Sequence, residues 1–279
     1  MTLTRTQVKD LLQKYGISPR KSLGQNFVVE PNTIRQIIEL ASIEPDAFII
    51  EVGPGIGSLT SSLLEVAEHV TAIEVDDALV RALTDLLQPE DNKFRLINAD
   101  VMNLDVNELL AARNESWNLV ANLPYNISVP LICDFLERVP VITKMTVMVQ
   151  REVAERLVAK TGKKAFGLPS LKVQYFAEAK KIADIPSSVF LPKPKVESSL
   201  VQIKRREKYA VSANYELLFE LVKRSFNQRR KMLRRSLKDI FDSNDFEFAG
   251  IDPTDRAEDI TLEEWGLLTD QLVRKREKI

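Results

Sequence analysis

Asn122-Leu123-Pro124-Tyr125 is a tetrad whose residue types suit methyl transfer to an exocyclic base amine. The N6 lone pair of adenine is delocalised into the ring, so the amine is a poor nucleophile until acceptors hold its protons and draw the lone pair out of plane. An asparagine oxygen and a neighbouring backbone carbonyl can do this. Here they are the side chain of Asn122 and the carbonyl of Leu123. Pro124 donates no hydrogen bond and stiffens the turn, and Tyr125 offers a flat face on which an extruded base stacks, worth about 1–3 kcal/mol per base. No general base is required, because the methylated amine loses its proton readily to water. Without that chemistry the same residues read as a strand end followed by an Asn-x-Pro turn.

The tetrad closes an apolar run, Trp117-Asn118-Leu119-Val120-Ala121, that reads as a buried strand stopped by Pro124. Similar runs occur at 48–52, 70–75, 94–98 and 145–150, and two more, near 179–184 and 199–204, complete a seven-stranded sheet. Helical periodicity between the runs predicts a mostly parallel sheet covered on both faces, with ligands at the strands' carboxyl ends. Residues 5–15 read as a short amphipathic helix with Gly16 as its stop. After Lys204-Arg205-Arg206-Glu207-Lys208 the pattern changes, and 215–238 and 261–275 read as helices with no strand between them. The expected division is therefore 1–204, a sheet domain with an N-terminal extension, and 205–279, a small all-helical domain.

Other strand ends carry matching chemistry. Glu51-Val52-Gly53-Pro54-Gly55-Ile56-Gly57-Ser58 joins the first long strand to a helix, and its glycines allow the backbone to pass close to a ligand. It is not a dinucleotide fingerprint: a G-x-G-x-x-G would need glycine where Ser58 stands. Glu74 ends the next strand, at the distance where a carboxylate accepts both ribose hydroxyls, while Asp76 reads as the cap of the helix after it. Asp100 ends the third, either to accept from a cofactor adenine's amino group or to cap the following turn. Gly, Glu and Asp on three consecutive strand ends fit an S-adenosylmethionine site better than any one of them does.

Composition narrows the classes. At 279 residues, 44% of them hydrophobic, the chain is long enough for a large domain and a smaller one. The formal net charge of -1 means that any surface for nucleic acid must be local. One cysteine, Cys133, in an apolar helical pattern rules out an internal disulfide and reads as a small buried thiol, and one histidine, His69, argues against a zinc centre and against Ser-His catalysis. No run approaches the roughly 18 apolar residues of a membrane span, and no signal peptide is apparent, so a cytoplasmic protein without a metal is expected. A monomer is expected as well. The local basic surface is Lys223, Arg224, Arg229, Arg230, Lys231, Arg234, Arg235 and Lys238, a stretch free of acidic residues. Such a block reads as a phosphate-binding surface, or as a basic face packed on the acidic first domain.

Leu23-Gly24-Gln25-Asn26-Phe27, the glycine-rich turn, 122–128, Gln150-Arg151-Glu152-Val153-Ala154, 190–198 and Phe226-Asn227-Gln228-Arg229-Arg230-Lys231 together resemble the KsgA-type small-subunit (16S) ribosomal RNA adenine N6,N6-dimethyltransferases. The matches run in order along nearly the whole chain. The resemblance implies a class I, Rossmann-like methyltransferase domain followed by a small helical one. It implies S-adenosylmethionine held by residues matching Asn26, Val28, Gly53, Glu74, Asp100 and Asn122, with Gly55 in the same turn and Val28 standing where leucine is usual. It also implies a target base sandwiched by Tyr125 and Phe190. The substrate implied is a pair of adjacent adenines in a hairpin loop near the 3′ end of small-subunit RNA, each methylated twice, with a role in subunit biogenesis. Two alternatives share these motifs: the large-subunit adenine methyltransferases of macrolide resistance, and a non-catalytic nucleic-acid binder on the same fold. The Arg229-Arg230-Lys231 segment and the helical tail favour the small-subunit type, and intact Asn122, Tyr125, Glu74 and Asp100 weigh against loss of activity.

Overall fold

A computed structural model describes residues 3–89, 92–111, 113 and 115–277. Its strands are β1 (Phe27–Val28), β2 (Phe48–Val52), β3 (His69–Glu74), β4 (Phe94–Asn98), β5 (Trp117–Asn122), β6 (Ile142–Gln150), β7 (Ala177–Ile185), β8 (Phe190–Leu191) and β9 (Ser198–Arg205). The helices are α1 (Arg5–Lys14), α2 (Pro31–Ala41), α3 (Ser58–Val66), α4 (Asp77–Leu87), α5 (Val106–Ala111), α6 (Ser128–Arg138), α7 (Arg151–Leu157), α8 (Leu168–Phe176), α9 (Tyr215–Phe226), α10 (Leu233–Ser236), α11 (Ser243–Ala249) and α12 (Leu262–Arg276).

Seven strands form one sheet in the order β4-β3-β2-β5-β6-β9-β7. Strands β2 to β6 run parallel, and β9 is antiparallel to β6. The chain builds outward from β2 to β4 and then returns to the other side of β2 with β5. The strand order therefore reverses between β2 and β5, and in an open α/β sheet the crevice above that reversal is where ligands bind. Continuous burial of β3, and of β2 after Phe48, fits strands covered on both faces. The small two-stranded sheet of β1 with β8, Phe27 opposite Leu191 and Val28 opposite Phe190, was not expected from the sequence.

The chain divides into two compact units, Met1–Ala154 with Lys180–Arg205, and Glu155–Ala179 with Arg206–Ile279. The sequence's linear division at 205 thus misses the segment 155–179, which groups with the C-terminal residues instead of the sheet. In the first unit α1, closed by a capping box at Thr4, buries Val8 and Leu12 in a cluster with Phe27, Ile56 and Leu79, and Tyr15 bonds Asp85 of α4 at 2.9 Å. In the second unit Tyr175 of α8 meets the rings of Tyr209, Tyr215 and Phe219, with centroids 4.9, 5.3 and 5.7 Å away.

The helix read over 215–238 ends at Phe226. Turns follow, with the N–H of Gln228 donating to Ser225 and that of Lys231 to Gln228, and then Leu233 and Arg234 donate to the carbonyls of Asp255 and Pro253. Those tertiary bonds outweigh the helical propensity of the sequence, so Arg229, Arg230 and Lys231 lie on a turn and not on a helix. Among the described residues no helix is long and apolar enough to cross a membrane.

Candidate functional site

The site is built at the β2/β5 reversal. β2 delivers the glycine-rich turn, in which Gly53 and Gly55 both have positive φ, 70° and 61°. A Cβ on Gly55 would stand 2.9 Å from the ring of Phe27, and one on Gly53 would stand 3.0 Å from Pro124, so the turn is pressed between the N-terminal segment and the Asn122 tetrad. One cavity brings together every residue expected to hold the cofactor: Asn26, Val28, Gly53, Gly55, Glu74, Asp100 and Asn122.

Glu74 is 5% exposed, and its carboxylate is already engaged. Oε1 accepts from the N–H groups of Val75 and Asp76, both at 3.0 Å, and Oε2 accepts from Gly55 N–H at 3.2 Å. A carboxylate has about four acceptor directions. Three are taken, which leaves Oε2 to reach a ligand hydroxyl and makes Glu74 an organiser of the turn as well. Burial holds its pKa above the ordinary value despite those three backbone donors. Asp76 caps α4 through Ala78 N–H at 3.0 Å, as its position suggested, and also accepts from Gln25 Nε2 at 3.0 Å. Asp100 caps the next turn, accepting from Met102 N–H and Asn103 Nδ2 at 3.0 Å each, while remaining exposed on the cavity wall. Both alternatives for Asp100 are thus compatible.

Glu51 is the residue that sequence reasoning missed. It lines the same cavity, is 1% exposed, and has its pKa pushed up to about 8, chiefly by burial, with the charge of Glu74 adding to the shift. The Thr60 hydroxyl offsets part of this, yet Glu51 Oε2 and Thr60 Oγ1 both lack a hydrogen-bond partner. A lone acidic residue inside the apolar run 48–52 was the available signal.

Asn122 ends β5. Its Nδ2 donates to the carbonyl of Asn26 at 2.9 Å, which fixes the amide's orientation, and its Oδ1 is buried with no partner. Leu123 is buried, with its N–H on the carbonyl of Met148 at 3.1 Å. The segment before Asn26 seats directly on the tetrad: a Cβ on Gly24, whose φ is 64°, would stand 2.9 Å from Tyr125 N. Tyr125 lies outside the cavity lining, half-buried, with its hydroxyl 2.8 Å from Ser198 Oγ. Phe190, expected as the second face of a base sandwich, is fully buried in the core with Val28, Val189 and Leu200, because its pairing in β8 turns the ring inward. Of the two aromatics only Tyr125 carries exposed surface.

The basic block belongs to the second unit and is of two kinds. Arg224 donates to the Ser236 carbonyl at 3.1 Å and to Asp239 at 2.7 Å, and Arg229 pairs with Glu258 and donates to the Lys164 carbonyl at 2.6 Å. Lys223, Arg230, Lys231, Arg234, Arg235 and Lys238 are exposed and form no ion pair among the described residues.

Comparison with known proteins decides between the possible uses of such a site. The model of the ribosomal RNA adenine dimethylase family matches residues 16–273. The chain belongs to this family. Two relatives called ribosomal RNA small subunit methyltransferase A illustrate the likeness within it. The one from Streptomyces griseus subsp. griseus is 42% identical over 94% of this chain and 92% of its own length. The one from Anoxybacillus flavithermus is 39% identical over 96% and 95%. Among solved structures, a dimethyladenosine transferase from Plasmodium falciparum superposes with a TM-score of 0.72 at 22% identity, covering 89% of this chain and 96% of that one. The 23S ribosomal RNA methyltransferase ErmE gives 0.67 at 24%, covering 88% and 99%. Both support the Rossmann-like methyltransferase fold.

Proposed function

We propose that this protein dimethylates the N6 amines of two adjacent adenines in a hairpin near the 3′ end of small-subunit (16S) ribosomal RNA. S-adenosylmethionine, the methyl donor, supplies an electrophilic methyl on its sulfonium. The observation that carries the reading is Asn122: a buried acceptor without a partner, held in orientation by the Asn26 carbonyl and reached from the cavity that the methyltransferase glycine turn encloses. A buried amide oxygen left unpaired is unfavourable by about 1–3 kcal/mol unless a ligand satisfies it, and an adenine amine supplies the missing donor.

The residues divide the work. Gly53 and Gly55 let the backbone approach the cofactor without a Cβ in the way, Glu74 Oε2 has one acceptor direction left for a ribose hydroxyl, and Asp100 stands exposed on the wall. Asn26 and Val28 close the cavity from the N-terminal side. Asn122 Oδ1 and the Leu123 carbonyl accept the two amine protons and localise the lone pair on nitrogen, Tyr125 stacks on the extruded base, and the surplus proton leaves to water after transfer. The exposed cations of the 223–238 stretch contact phosphates. The protein works on this reading as a monomer in the cytoplasm, where small subunits are made.

The test is to incubate the protein with labelled cofactor and under-methylated small subunits and to map the modified bases. Label in two adjacent adenines of the small-subunit RNA is expected. Label only in large-subunit RNA, or none, overturns the reading. In the same assay Asn122→Ala should lower turnover by about 10²–10³-fold, the scale of removing one preorganised polar group at the reacting centre, while subunit binding persists.

A further inference from the structure

The cofactor cavity accounts for Asn122 and leaves the hydroxyl of Tyr125 without a role. That hydroxyl lies 2.8 Å from Oγ of Ser198, a fully buried residue at the start of β9, opposite Gln150 of β6. Ser198 is itself held from both sides. Before it, the Arg151 N–H donates to the Glu197 carbonyl at 2.9 Å, and the Arg151 guanidinium pairs with the Glu197 carboxylate. After it, Ser199, also fully buried, donates to Asp184 at 2.8 Å, and Asp184 in turn accepts from Lys181 at 3.0 Å. The ring tip of Tyr125 is thus tied to a strand end held on both sides. Burial raises the phenol's pKa, so the hydroxyl stays protonated and able to share a proton with the serine.

We propose that Ser198 is a positioning residue for the methyl-transfer reaction, holding in place the ring of Tyr125 against which the target base stacks. The inference rests on the reading of Tyr125 as the stacking surface. The para hydroxyl is the point of a tyrosine farthest from the backbone and lies on the ring's long axis, so a bond there fixes where that axis points and holds the inner torsion in one rotamer. A platform already held in its working orientation loses less freedom when the base arrives, and the base then sits where Asn122 can reach its amine.

The experiment compares Ser198→Ala, Tyr125→Phe, the double variant and Tyr125→Ala. Turnover is measured on under-methylated small subunits, and cofactor binding by calorimetry. Each of the first two should lower kcat/KM for the subunit by roughly two- to tenfold, the scale of one hydrogen bond, with cofactor affinity unchanged. The double variant should be no worse than the weaker single, because both remove the same bond. Wild-type kinetics in both singles, or losses that multiply in the double, overturn the tether. So does a Ser198→Ala protein that loses melting temperature and cofactor affinity while Tyr125→Phe behaves as wild type. Should Ser198→Ala fail to fold, Tyr125→Phe alone carries the test with the same expected loss. Tyr125→Ala separates the two ideas: wild-type turnover there removes the stacking role itself, whereas a severe loss there with a normal Tyr125→Phe removes only the tether.

Discussion

Glu51 places a carboxyl in a buried position, 1% exposed, where Oε2 has no hydrogen-bond partner and the charge of Glu74 opposes ionisation. The unfolded side chain titrates near 4.5 and the folded one near 8. Between those values the folded protein keeps a proton that the unfolded chain has released, so this group's contribution to stability falls as pH rises across the window. Glu51→Gln is neutral throughout and lacks that slope. Its stability relative to the parent should therefore climb from about pH 5 to 8, by at most about 1.4 kcal/mol per pH unit, and level off above. Urea unfolding at several pH values measures it, and parallel curves for the two proteins would mean that the carboxyl ionises without penalty. Residues at strand ends, Asn122, Glu74 and Asp100 among them, were legible in the sequence because a polar side chain that closes an apolar run has few structural reasons to be there. Glu51 was not, since a single acid inside a strand gives no hint of which face it takes. The inward turn of Phe190 depends on a pairing with Val28 that only the tertiary structure supplies.

Among elements, the N-terminal segment and the tetrad turn are fitted to each other at Gly24. Its φ of 64° is a conformation that costs a residue with a Cβ about 1–2 kcal/mol, and that Cβ would meet Tyr125 N and Asn126 Oδ1 at 2.9 Å. Gly24→Ala should weaken cofactor binding and turnover together, since Asn26 and the tetrad must part, while the sheet itself is untouched. Calorimetry and assay of a folded variant decide this, and normal affinity would show that the segment tolerates displacement. The basic turn calls for different handling of its two kinds of cation. Replacing Arg230, Lys231 and Arg235 with Ala should flatten the salt dependence of subunit binding by roughly 0.7–0.9 for each phosphate no longer neutralised, and leave the melting temperature alone. Arg229→Ala should chiefly cost stability, on the order of 0.2–1 kcal/mol for an exposed pair, through Glu258. An unchanged salt slope in the triple variant would remove these three cations from RNA binding. The central sheet strands were legible because they are bounded apolar runs, whereas β7 carries four charged residues and two-residue β1 and β8 have no period. The end of α9 at Phe226 was hidden because bonds to Asp255 and Pro253 set it.

At the scale of the whole molecule, two compact units share one chain that passes between them three times, at 154, 179 and 205. The boundary was readable near 205, where strands give way to helices. The excursion 155–179 was not, because α8 with its apolar residues looks like any helix that covers a sheet. A chain ending at Lys204 would leave Tyr175 and Phe176 without Tyr209, Tyr215 and Phe219. Such a chain should aggregate, or bind a dye for exposed apolar surface, whereas removal of 155–179 as well, bridged by a short linker, should relieve this; a soluble, dye-silent 1–204 chain would show that the aromatic cluster is dispensable. The same interleaving governs biosynthesis. A nascent chain exposes α8 when it emerges, but the residues that group with it, 206–279, are translated after it, at about 5–20 residues per second. For a time on the order of ten seconds an aromatic helix therefore waits uncovered beside a translating ribosome, and a chaperone that holds apolar segments has its natural client in that interval rather than in the finished enzyme.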